Sequence, residues 1–134
     1  MNQKVYLAGQ SNEYDHNWRK KFNDLKDFDF YDPNIDSDQS SPETFFPQDL
    51  TAIKNSKFMV ANPSDKPSEG TWIEIGYFHA QNTKKPGEFC KNLIIIWKKS
   101  RKPTWAIEFV KKTGHVVGSV NEAVKQLRQI SKNK

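Results

Sequence analysis

The chain has few of the residues that brace or anchor a protein from outside its own core. One cysteine, Cys90, stands among 134 residues, which leaves no internal disulfide framework and no multi-cysteine zinc site. Two of its three histidines, His16 and His79, stand in no metal-ligand spacing with each other or with Cys90. Long apolar runs are missing too. The longest late one, LIIIW at 93–97, is far too short to cross a bilayer. The opening MNQKVYLAGQ turns polar again after a short apolar run, unlike a signal peptide. Repeats and low-complexity stretches are also absent. The expectation is a soluble, cytoplasmic protein with one domain over residues 1–134, long enough to bury a single core without disulfides or metal.

Charge is present in modest excess, +5, and gathers late in the chain in KKSRK (98–102), Lys111-Lys112 and the SKNK tail. Lysine-rich helix faces and tails are usually just solvated, so this pattern weighs against nucleic acid as a partner. It equally suits a small anionic ligand.

Short apolar runs alternate with helical periodicity. VYLAG (5–9) reads as a buried strand closed by a glycine, and Trp18, Phe22 and Leu25 then recur at helical spacing as core residues. FDFYDP (28–33) reads as a second strand stopped by Pro33, followed by a long polar loop, NIDSDQSSPETFFP. A short helix over 48–56, with Leu50 and Ile53 inward, leads to strand KFMVA (57–61). The loop NPSDKPSEG then enters a helix carrying Glu74. LIIIW, apolar throughout, suits an internal parallel strand. A helix over 105–112, a strand at 115–119 and a C-terminal helix to Ile130, opened by a Ser119–Glu122 capping box, complete the pattern.

Five strand–helix alternations predict a doubly wound α/β domain, Rossmann- or flavodoxin-like, with a five-stranded parallel sheet and helices on both faces. Such sheets bind ligands beyond the carboxyl ends of their strands. The rule selects the loops Gly9–Asp15, Asp32–Pro47 and Asn62–Gly70. Glu74 lies just past the third. Thr71-Trp72-Ile73-Glu74 fits a capping box, and on spacing alone a helix cap is the better explanation. The other is chemical. A carboxylate in a helix's first turn feels the positive end of the dipole and stays ionised, which suits a nucleophile better than a general acid. Tyr6, on the first strand, could orient it, and Asp65, Ser68 and Glu69 lie in the approaching loop.

VYLAG, YDP, QDLTAIKNSKFMVA and EGTWIEIGYFHAQNTKKP, in that order over about residues 4–97, together resemble the nucleoside 2-deoxyribosyltransferase family. The resemblance implies that Glu74 attacks the anomeric carbon of a nucleoside or nucleotide, that the base leaves, and that a second base or water takes the sugar with retention. Tyr6 would position the nucleophile. A carboxylate of this kind splits one difficult displacement into two easier ones, as in retaining glycosidases. The resemblance also implies a homo-oligomer, with a neighbouring subunit often completing the pocket; nothing in the sequence requires a metal or an organic cofactor.

Transferases of the family carry an aspartate where this chain has Ser68. PSEGTWIE instead resembles the family's 2'-deoxynucleoside 5'-monophosphate N-hydrolase branch, which uses hydroxyls to hold the phosphate. The first loop, GQSNEYDHNWRK, lacks that branch's glycine- and arginine-rich phosphate loop, though Ser11 and Arg19 could contribute. The binding candidates are Gly9, Gln10, Asp32, Asp65, Ser68, Glu69 and Gly70. Asp32 is equally explained as a strand-ending Asp-Pro turn. Asp49, read as opening its helix, is assigned to dipole complementarity. Trp72 walls the pocket or packs the core, and Cys90 has no evident base partner. A non-catalytic nucleotide-binding module with Glu74 as a cap is the reading from a different class.

Overall fold

The computed structural model describes residues 2–9, 18–63 and 68–132. Five short strands carry its core. They are β1 (Gln3–Gly9), β2 (Phe28–Tyr31), β3 (Phe58–Asn62), β4 (Leu93–Ile96) and β5 (His115–Val117), all parallel in the order β2-β1-β3-β4-β5. Between and after them run α1 (Trp18–Asn23), α2 (Pro33–Asp36), α3 (Pro42–Lys54), α4 (Glu69–Gln81), α5 (Trp105–Thr113) and α6 (Val120–Lys132).

Alternation along each strand sorts side chains onto two faces. Tyr6, Ala8, Met59, Ala61, Leu93 and Ile95 face one way, packing on Ile53 of α3, Ile75 and Phe78 of α4, and Ile107 and Val110 of α5. Val5, Leu7, Val60, Ile94 and Ile96 face the other, against Trp18 and Phe22 of α1 and Ala123 and Leu127 of α6. A strand covered on both sides has no use for polar residues, which is why LIIIW shows no alternation. The doubly wound single domain is what the sequence predicts.

Three local readings are corrected. Pro33 does end β2, but it opens the one-turn α2. The expected loop over 34–47 holds that helix and the first half of α3, which starts at Pro42 rather than Gln48. A proline at the first helical position loses nothing, because that amide has no intrahelical acceptor. Pro47 sits inside α3 on its exposed side, where water can satisfy the carbonyl that loses its amide. Thirdly, the residue at the N-terminal cap position of α4 is Ser68 and not Thr71, and its side chain makes no capping hydrogen bond. Of the second capping box one half forms as expected: Glu122 N–H donates to Ser119 Oγ at 3.1 Å, while Glu122 Oε2 accepts at 2.7 Å from the amide of Gly118, one residue before the cap.

Gly9 ends β1 at φ +151°, and a Cβ there would meet the Asn62 carbonyl oxygen at 2.7 Å. Only glycine lets β1 and β3 lie this close at their carboxyl ends.

Candidate active site

Because α4 begins at Glu69, Glu74 is its sixth residue and sits in the second turn, facing inward. It caps nothing. Its side chain instead meets β1, where the Tyr6 hydroxyl donates to Glu74 Oε2 at 2.8 Å in a buried contact. Tyr6 is completely buried and Glu74 is 9% exposed.

Burial governs the electrostatics. It pushes the Glu74 carboxyl up from 4.5 to about 7; the Tyr6 hydrogen bond opposes this, nearby Asp49 adds to it, and Arg19 opposes it. Glu74 is therefore partly protonated at neutral pH, and not held ionised by the helix dipole as its expected first-turn position implied. The Tyr6 hydroxyl is pushed far above the usual phenol range by burial, then by the negative charge of Glu74 and Asp49. It remains a donor at every physiological pH.

Asp49 is the functional candidate that sequence reasoning misplaced. With α3 starting at Pro42, Asp49 lies in mid-helix, 4% exposed, where no dipole argument applies. Its carboxyl is raised by burial, against the opposing pull of Ser37 and Arg19, and Oδ1 has no hydrogen-bond partner among the described residues. The available signal was its spacing of four from the buried Ile53, which puts an acid on the apolar face of a helix. Tyr31, register partner of Tyr6 on β2, completes the cluster, its ring stacked on that of Tyr6 at 5.5 Å and 13°.

The other candidates divide. Asp32 is buried and faces Arg19, also buried, with Oδ1 3.3 Å from Nε. Arg19 further donates to the carbonyls of Leu7 (3.3 Å) and Gly9 (2.8 Å). Ser68 is buried at the start of α4, and Glu69 and Gly70 are exposed in its first turn. Gly9 is at the end of β1, beside the buried Asn62. Gln10 and Asp65 lie outside the described residues. Glu74, Tyr6, Asp49 and Tyr31 thus form one cluster, and Asp32 belongs to a neighbouring ion pair. A groove of about 860 Å³ runs between β2 and α3, and meets the cluster at Tyr31. Among the described residues, no group of three or more His, Cys, Asp and Glu is placed to hold a metal ion, and no helix is long and apolar enough to cross a membrane.

No family model matches the chain, and no curated protein does. Solved structures do. A 2-deoxyribosyltransferase from the psychrotolerant bacterium Bacillus psychrosaccharolyticus superposes with a TM-score of 0.66 at 16% identity, over 90% of this chain and 89% of that one. The chain shares that enzyme's fold. The same fold matches the CMP N-glycosidase BcmB of Clostridium botulinum (TM-score 0.62, 20% identity) and a conserved protein from Enterococcus faecalis V583 (0.73, 17%). Each of these two matches covers 96% of this chain and 99% of the other. The Tyr6–Glu74 pair lies on the α3–α5 side of the sheet, with Tyr6 midway along β1, in register with Tyr31 at the end of β2 and with Met59 of β3.

The raised carboxyl also has a cost in stability. A folded-state value above the unfolded one means that the folded protein binds more protons between the two, so stability falls as pH rises from about 4.5 to 7. The full effect is up to about 3 kcal/mol. Urea denaturation from pH 4.5 to 8 is expected to show this decline, and Glu74→Gln to remove most of it.

Proposed function

We propose that this protein cleaves the N-glycosidic bond of a nucleoside or nucleotide through a covalent glycosyl–Glu74 intermediate and passes the sugar to another base. The observation that carries the reading is the buried hydrogen bond from Tyr6 to Glu74. A buried glutamate with a value near 7 supplies a carboxylate at neutral pH. The bound phenol leaves one of its oxygens, Oε1, for attack. In the first step an oxygen of Glu74 forms a bond to the anomeric carbon as the bond to the base nitrogen breaks. The electron pair leaves with the base, which takes up a proton. In the second step the acceptor's nitrogen bonds the anomeric carbon from the other side, the ester bond to Glu74 breaks, and the acceptor gives up its proton. Two inversions give retention.

Ser68 favours a second reading, in which water is the acceptor and the substrate is a 5'-monophosphate. The CMP N-glycosidase among the structural matches supports it. One assay separates the two: chromatography of reactions with deoxynucleosides, ribonucleosides and their 5'-monophosphates, with and without an acceptor base. A new nucleoside formed with acceptor identifies a transferase, and base release indifferent to acceptor a hydrolase. Tight binding of a nucleotide with no turnover over the whole panel would overturn both and leave a binding module.

The protein is also expected to self-associate. Outward on α4, Ile73 is 53% exposed and is followed by exposed Gly76 and Ala80, with Phe46 of α3 37% exposed. This helix presents no charged side chain outward between Glu69 and Gln81 apart from any carried by His79. An uncharged apolar stripe suits a self-complementary two-fold contact. Light scattering is expected to give a dimer or larger for the wild type and a monomer for Ile73→Lys; a monomeric wild type at high concentration would refute the assignment.

A further inference from the structure

We propose that Tyr31 is a positioning residue, whose ring fixes the Tyr6 phenol in the orientation that donates to Glu74. This rests on the reading of Glu74 as the nucleophile. The parallel register sets Tyr6 and Tyr31 directly beside each other on β1 and β2. Both side chains stand on the α3 side of the sheet, the rings nearly parallel, 5.5 Å apart and 13° from coplanar. Tyr6 is inside the core, whereas Tyr31 is half-buried on an edge strand and forms part of the wall of the 860 Å³ groove. The stack therefore closes one side of Tyr6 where no further strand does so. A phenol ring rotates about two side-chain bonds, and its hydroxyl is far from the backbone that carries it. A flat neighbour limits that rotation at no cost in hydrogen bonding.

An ordinary packing role predicts something different. Removing an apolar neighbour on an edge strand lowers stability and leaves the Tyr6–Glu74 bond as it is. A positioning role predicts a change at Glu74 itself, because the phenol's hydrogen bond is the larger of the two influences, with Arg19, that oppose the effect of burial on that carboxyl. The titratable and charged groups facing Glu74 are Tyr6 from β1, Asp49 from α3 and Arg19 from α1, with Tyr31 behind Tyr6 on β2. The Tyr31 ring touches Tyr6, whereas its hydroxyl also feels the charge of Asp49 and Glu74 and shares Ser37 with Asp49, so the effect assigned to the ring is the one that Tyr31→Phe keeps and that vanishes when Tyr6 cannot donate.

The experiment is a carbon-13 NMR titration of the Glu74 carboxyl in the substrate-free protein, which needs no knowledge of the substrate. Tyr31→Leu is expected to move the midpoint up by roughly one pH unit, the size of one hydrogen bond to a carboxylate. Tyr31→Phe keeps the ring and is expected to restore the wild-type midpoint. In a Tyr6→Phe background, Tyr31→Leu is expected to add nothing. A midpoint unmoved by Tyr31→Leu, or a shift of equal size in the Tyr6→Phe background, overturns the proposal. Should Tyr31→Leu not fold, Tyr31→Met removes the ring at nearly the same volume and is read in the same way. The catalytic reading fails on a separate outcome, a Glu74→Ala variant that keeps full turnover.

Discussion

Replacing Glu74 by alanine is expected to lower turnover by about a thousandfold or more, with the protein still folded. Removing a covalent nucleophile ordinarily costs several orders of magnitude, since the remaining groups can bind and orient the substrate but cannot form the intermediate. Glu74→Gln is the sharper test. The amide keeps an oxygen for the Tyr6 hydroxyl and nearly the same volume, so packing around α4 is retained while the attacking group is lost. Both variants should therefore be inactive, and Glu74→Gln should be the more stable above pH 7, where the wild type holds a buried charge. The pH dependence has a definite sign. In the proposed mechanism the ionised carboxylate is the active form, so activity is expected to rise with pH through about 7 and to fall about tenfold for each unit below it. An acid limb near 4.5, the usual glutamate range, would mean that burial does not govern this carboxyl in solution. A fully active Glu74→Gln would reject the mechanism outright.

The second large effect is structural. Arg19→Ala is expected to destabilise the protein by about 3–5 kcal/mol, since it removes the charge facing a buried carboxylate. Both side chains of the Arg19–Asp32 pair are nearly inaccessible, at 5% and 6%. The guanidinium also holds the carbonyls of Leu7 and Gly9, so its loss leaves the end of β1 with acceptors that water reaches poorly. For a domain of this size the loss corresponds to a fall in Tm of roughly 10 °C or more. Replacing both partners with apolar residues, as Arg19→Met with Asp32→Leu, should recover much of that stability, because no uncompensated charge remains. Thermal and urea denaturation of the single and double variants decide the matter. A loss under about 1 kcal/mol for Arg19→Ala would mean that Asp32 is solvated, which would return it to the residues available to a ligand.

The ion pair also explains why Asp32 could be read in two ways from its neighbours alone. Asp-Pro after a strand is a turn signal, and it is equally a polar group at the ligand end of a sheet. Its partner is thirteen residues earlier, on a helix whose own side-chain directions no local pattern specifies. Asp49 shows the same difficulty in another form. Its meaning depends on where α3 begins, and two prolines made the start look like a loop. One of them, Pro42, is in fact well suited to a first helical position.

Order and type of the elements were legible without coordinates, because strand hydrophobicity and helical spacing are local properties. LIIIW announces a strand covered on both faces, VYLAG and KFMVA announce strands, and alternation with helices leaves the parallel doubly wound sheet as the simplest arrangement. The pairing of Tyr6 with Glu74 was expected from resemblance to a family, and the fold brings the two together across 68 positions of sequence. The charge state of Glu74 belonged to the tertiary structure alone. Spacing put it in a first turn, ionised; the actual start of α4 put it one turn deeper, against β1, α3 and a buried phenol. The stack of Tyr31 on Tyr6 and the approach of Asp49 are likewise products of strand register and helix placement. A carboxyl's affinity for its proton depends on everything within a few ångströms, and those neighbours come from four separate elements. Local sequence determines the elements, and only their packing decides what each acid can do.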